Sequence, residues 1–157
     1  MATSLQIKPL KKSKLYREPK VSLKRSLLPE KTDKNQDITN RIKTFENACA
    51  ELNINSSSVK IVGLDDDTIS SLAYIKLVII ARALNEGWKP NWEDSNEKKW
   101  YPYFMLRGGF RFIDSTYDCD HSNTDVGARL CFKTEALAIY AGRQFANEYR
   151  EYMLIEK

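Results

Sequence analysis

Histidine is nearly missing from the 157 residues; His121 is the single one. With no GxSxG element, no P-loop and no paired carboxylates in an acid/base arrangement, little remains around which catalysis would be organised. The chain is therefore expected to be a non-enzyme without a cofactor. Cysteine is scarce too: Cys49, Cys119 and Cys131 form an odd set with no CxxC pair. That argues against a disulfide framework and against a structural zinc site, and it fits reduced thiols inside a cell. Long apolar runs are also lacking. The longest, over 75–84, is interrupted by Lys76 and Arg82 and falls far short of the ~20 residues a membrane span needs, so no membrane partner is expected. The first residues carry Lys8, Lys11, Lys12 and Lys14 without a following apolar run of signal-peptide length, which argues against secretion.

What is present is apolar material for one core and a lopsided charge. Hydrophobic residues make up 42% and aromatics 11%, enough for a single domain of this length. The net charge of +4 conceals two objects. Residues 1–34 hold ten Lys/Arg against three Asp/Glu, a balance of +7, and the remainder is about −3. The stretch up to residue 36 mixes three prolines, scattered apolar residues and many lysines, and as a whole follows no helical or strand period. It cannot bury enough to order itself, although Leu10, Leu15, Tyr16, Val21, Leu23, Leu27 and Leu28 exceed what a solvated linker requires. The reading is a basic, partly apolar arm over 1–36 and a compact domain over 37–157.

Within the domain, Ile42, Phe45, Cys49 and Leu52 recur at three or four residues behind a possible cap at Asp37 or Thr39, predicting a helix over about 38–53. A second helix starts at Asp67 or Thr68, is apolar nearly all round, and ends at Gly87 in a left-handed cap. It is expected to form the buried centre, with an aromatic hairpin covering it. The hairpin consists of "KKWYPYFML" and "GFRFID" around "RGG". A short strand near Thr116–Cys119 and a further strand in "GARLCFK" would complete a small sheet of about three strands. A last helix starts at a Thr134 cap and lays Leu137, Ala141, Phe145, Tyr149 and Met153 along one stripe. The order defines an α+β domain: two N-terminal helices, a small antiparallel sheet and a C-terminal helix behind an extended arm.

The segments "IKTFENACAELNI", "ALNEGWKPNW", "KKWYPYF", "GFRF", "VGARLCFKTEALAIYAGRQF" and "YREYML" resemble a family of small proteins encoded by phages and prophages of Bacteroidales bacteria. The likeness covers roughly residues 38–155 and leaves the arm outside. It implies a phage setting, in the host cytoplasm during infection or within the virion. It implies nothing about mechanism, because that family has no established activity.

Residue chemistry supplies the candidate sites. In the arm, Lys8, Lys11, Lys12, Lys14, Arg17, Lys20, Lys24 and Arg25 suit sequence-independent contact with phosphates. The alternative is an arm that threads into a neighbouring protein subunit through its leucines. Residues 83–104 concentrate three tryptophans, two tyrosines and a phenylalanine beside several cations, which is either a stacking platform for single-stranded nucleic acid or efficient cover for a core. Strand alternation puts Trp100 and Phe104 on one face and Tyr101 and Tyr103 on the other. Lys98, Lys99, Tyr101, Tyr103 and Arg107 are accordingly the secondary contact face. "DCDHSNTD" at 118–125 matches neither an EF-hand nor a zinc motif and reads as a polar loop, so no metal site is assigned. Cys131 beside His121 as nucleophile and base is disfavoured, since Cys131 lies between Leu130 and Phe132. A third reading, an antagonist of host defence binding a nucleotide or host protein, requires a sealed polar pocket.

Overall fold

The computed structural model describes residues 35–63, 65–119 and 129–154. Residues 1–34 of the arm and most of the 118–125 loop, including His121, lie outside the described residues. Helices α1 (Ile38–Arg41), α2 (Phe45–Glu51) and α3 (Asp66–Leu84) precede strands β1 (Lys99–Met105) and β2 (Arg111–Asp118), followed by α4 (Glu135–Gln144) and α5 (Ala146–Met153). The α+β class holds.

Local bonds explain where elements begin. Asp37 accepts the Thr39 backbone N–H at 2.8 Å and opens α1. The single helix expected over about 38–53 is instead two, broken at 42–44. There the Thr44 hydroxyl accepts the Asn47 N–H at 3.3 Å while the Asn47 side chain accepts the Thr44 N–H at 3.2 Å. This reciprocal cap competes with helix continuation and restarts the chain in a new direction. Asp65, rather than Asp67 or Thr68, caps α3: its carboxylate accepts the Thr68 N–H at 2.9 Å and the Thr68 hydroxyl at 2.7 Å. Asp66 and Asp67 then occupy the first turn, where negative charge meets the positive end of the helix. At the other end Glu86 (φ 48°) and Gly87 (φ 87°) are left-handed, as the sequence led us to expect of the glycine.

Helix α3 packs between α2 and α5, burying Ala73, Leu77, Ile80, Ala81 and Leu84 and leaving Ile69 and Ile75 exposed. It is central but not enclosed all round. Tyr74 meets Tyr152 of α5 with ring centroids 5.5 Å apart, and the Ser70 hydroxyl donates to the Tyr152 carbonyl at 2.9 Å.

The hairpin covers α4 and α5 rather than α3. Gly142 makes this possible, because a methyl group there would overlap the Phe112 ring and the Pro102 ring carbon. Phe104 continues the contact onto Tyr149, centroids 4.8 Å apart. β1 and β2 pair antiparallel from Lys99↔Asp118 to Met105↔Arg111, and the connection carries left-handed Gly108 and Gly109. β2 runs unbroken through the expected separate strand near residue 116. The register shifts beyond Tyr103, which pairs with Asp114 while Phe104 pairs with Phe112, so Ile113 is the extra residue of a bulge.

Among the described residues the sheet has two strands, not three. The strand expected in "GARLCFK" shrinks to one bridge, in which Trp100 and Phe132 exchange backbone hydrogen bonds of 3.0 and 2.6 Å. What replaces a longer ladder is a side chain. Buried Asn85, at the end of α3, donates to the Cys131 carbonyl at 2.8 Å and accepts the Lys133 N–H at 3.0 Å. Its amide satisfies the same two peptide groups that a neighbouring strand would. The C-terminal helix is likewise two elements, since Phe145 leaves helical geometry (φ −113°, ψ 31°). Leu137, Ala141, Phe145 and Tyr149 are nevertheless all buried, as the apolar stripe implied, while Met153 at its end is only half-buried.

A buried cation ties the two ends of the helical layer. Arg41 pairs with Glu51 of α2 at 2.5 Å and with Glu86 beyond α3 at 2.8 Å, and Lys133 reaches the same Glu86 at 3.1 Å.

Candidate nucleic-acid interface

The aromatic segment divides into two environments. Residues 88–98 form a loop organised by Glu97, whose carboxylate accepts the Trp88 indole N–H at 2.9 Å and the Asn91 backbone N–H at 2.6 Å. Beneath this loop lies Lys99, only 1% exposed. Its ammonium donates to the Asp94 carbonyl at 2.9 Å, stands 3.6 Å from Glu97 and sits 5.5 Å from the Trp92 ring centroid. The tryptophans therefore help enclose a cation, and the Glu97 carboxylate is the hub of the enclosure. Lys99 is removed from the expected contact face. It points to the same side of the ribbon as Tyr101 and Tyr103, but the 88–98 loop closes over that end and covers it.

The rest of that face meets solvent. Tyr101 is half-buried, Tyr103 is 55% exposed, and Met105, Leu106, Arg107 and Arg111 are all exposed. Arg107 stands at the hairpin connection and Arg111 pairs with Met105 across the ribbon, its guanidinium 3.0 Å from the Met105 sulfur. Alternation alone left Arg111 and Leu106 off the site. The signal that would have found them is in the sequence: from Lys98 to Ile113 there are four cations and no carboxylate. The first acid on β2 is Asp114, opposite Tyr103.

Lys98 lies apart from its expected companions. Its ammonium sits 4.1 Å from the Tyr117 ring centroid and 5.5 Å from that of Trp100, and those two rings are themselves 4.7 Å apart. Tyr117 and Trp100 belong to the ribbon face opposite Tyr103. The arm cations Lys8, Lys11, Lys12, Lys14, Arg17, Lys20, Lys24 and Arg25 lie outside the described residues.

Two features bear on other chemistries. Burial pushes the Cys131 thiol up to about 11 and raises that of Cys49 as well; neither supplies a thiolate at neutral pH. Among the described residues no group of three or more His, Cys, Asp or Glu side chains is placed to hold a metal ion, and no helix is long and apolar enough to cross a membrane. A groove of about 430 Å³ runs between α3 and α5, lined by Ser70, Ser71, Tyr74, Ile75 and Tyr152, and it is open to solvent.

Set against protein-family models, curated proteins and solved structures, the chain matches none of them.

Proposed function

We propose that this is a non-enzymatic, phage-type accessory protein whose basic arm binds nucleic acid, or a nucleic-acid-rich phage assembly, without reading sequence. The phage setting rests on the resemblance described above. The observation that carries the binding reading is the separation of charge: +7 in the first 34 residues against about −3 in the rest. Such an arm neutralises phosphates and releases their counterions. The solvent side of the hairpin, exposed Tyr103, Arg107 and Arg111 with half-buried Tyr101, is a second contact.

The test is binding of the full-length chain to duplex and single-stranded DNA across a salt series. It is repeated with Lys8, Lys11, Lys12, Lys14, Arg17, Lys20, Lys24 and Arg25 all changed to Ser. The variant is expected to lose most affinity and up to about 7 units of the log–log salt slope on duplex, with the fold unchanged. Equal affinity and slope in both proteins would sink the proposal.

The arm's leucines favour a second reading, a virion or assembly component in which the arm packs into a neighbouring subunit. It requires the reverse sensitivity: tolerance of the Ser substitutions above, and failure of assembly when Leu15, Tyr16, Leu27 and Leu28 become Ser. The open groove between α3 and α5 gives no support to a nucleotide-sequestering reading.

A further inference from the structure

Resting on the nucleic-acid reading but independent of the arm, we infer that the solvent face of the β1–β2 ribbon is a single-strand-selective site, with Tyr103 stacking on an unpaired base and Arg107 and Arg111 holding the adjoining phosphates. Three observations converge. Tyr103 is 55% exposed on a strand, and no partner ring or cation covers it among the described residues. Tyr117, the other well-exposed aromatic of the ribbon, differs in this respect: its ring already carries Lys98 at 4.1 Å. Tyr103 is thus the open π-face.

The second observation is charge. No carboxylate occurs between Lys98 and Ile113, the exposed Asp114 stands opposite Tyr103, two pairs away from Arg111, and among the described residues neither Arg107 nor Arg111 enters an ion pair. The cations are left for an anionic partner. The third is spacing. Arg111 pairs with Met105, two strand residues beyond Tyr103 and roughly 7 Å along the ribbon at about 3.4 Å per residue, and Arg107 stands further on in the connection. That is about one nucleotide of an extended single strand, so one base on the ring and the next phosphates on the arginines is a consistent placement. A duplex cannot use the ring, because its bases are already stacked on one another, whereas an arm of point charges binds either form.

The experiment measures affinity of the full-length chain, Tyr103→Ala and Tyr103→Phe for an oligothymidine strand and for a mixed-sequence duplex at one salt concentration. Each is measured with the arm intact and with its eight cations changed to Ser. Tyr103→Ala is expected to weaken single-strand binding about ten-fold, the size of one lost base–ring stack. Tyr103→Phe should bind like the parent, and duplex affinity should not move. Circular dichroism of Tyr103→Ala should match the parent, since the side chain is largely in solvent. Equal losses on both DNA forms, or no loss on either, would overturn the inference. So would loss of single-strand preference on Leu106→Ser with Tyr103→Ala silent, which would put the base contact at the tip rather than on the Tyr103 ring. The tyrosine effect in the arm-neutralised background separates failure of this site from failure of the arm.

Discussion

Residues 88–99 and residues 100–111 draw on the same chemistry, aromatic rings interleaved with lysine or arginine, and the protein uses them in opposite ways. In the first, Trp88 and Trp92 join Glu97 in a lid over Lys99, and the cation is consumed by the Asp94 carbonyl, a carboxylate and a ring face. In the second, Tyr103, Arg107 and Arg111 stay in solvent. The difference is the carboxylate. Glu97 can satisfy an indole, a backbone amide and an ammonium at once, which turns a cationic aromatic stretch inward. Where the segment itself holds no acid, the same residue types remain on the surface, even with Asp114 across the ribbon from Tyr103. Adjacent lysines make the contrast sharpest, since Lys98 lies over the exposed Tyr117 ring and Lys99 is enclosed.

That contrast can be broken in graded steps. The largest effect is expected from Lys99→Ala, which strips Glu97 of its buried counter-charge and the Asp94 carbonyl of its donor. A loss of about 3 kcal/mol in urea unfolding is the expected size for removing one member of an enclosed pair, and a loss below that of Lys98→Ala would overturn the assignment. Next comes Gly142→Val, which forces side-chain carbons into Phe112 and Pro102. About 2 kcal/mol is expected for overpacking, together with loss of the near-ultraviolet dichroism of the hairpin aromatics. Lys98→Ala should cost under about 1 kcal/mol, as exposed cation–ring contacts do.

A chemical probe sharpens the same inside–outside division. Iodoacetamide at about pH 8 should modify half-buried Cys119 in the folded protein and reach Cys131 only after denaturant, because a thiol near 11 is scarcely ionised there. The smallest effect concerns Asp65, whose carboxyl is held below its ordinary value of 3.8, chiefly by the Thr68 hydroxyl and then by the Thr68 backbone N–H. A carboxyl lowered by folding stabilises above its ordinary value, and that contribution is lost as pH falls through the folded value. Asp65→Ala should therefore lower the thermal midpoint at neutral pH, with the gap closing below about pH 4. A gap that persisted in acid would mean the cap works without its charge.

The helical half of the fold was readable because its signals are local. Thr134 caps α4 and Asp37 caps α1 through bonds only two or three residues long. The buried stripe from Leu137 to Tyr149 follows from periodicity alone. Misreadings arose where a local bond outcompeted periodicity, as in the Thr44–Asn47 cap that divides the first helix. They also arose where three acids in a row left the cap ambiguous and only Asp65 has the geometry to bond Thr68. The third strand and the burial of Lys99 were illegible for another reason. Both depend on partners brought from elsewhere in the chain: Asn85 standing in for a ladder at 131–133, and the 88–98 loop folding back over the first residue of β1. Alternation correctly separated Phe104 from Tyr103, but it cannot say which end of a face a loop will cover.

Asn85 has a consequence for motion. The last turn of a helix is ordinarily among the first places where amide protons exchange with solvent, since its carbonyls have no partners further along and the end frays. Here the end of α3 is clasped to the segment that carries Phe132, and Phe132 in turn bonds Trp100 at the start of the hairpin. Fraying one turn would release the bridge, and the bridge anchors the hairpin at its root. The carboxyl end of α3 should therefore open with the whole molecule rather than before it, making this helix end a latch that reports global unfolding.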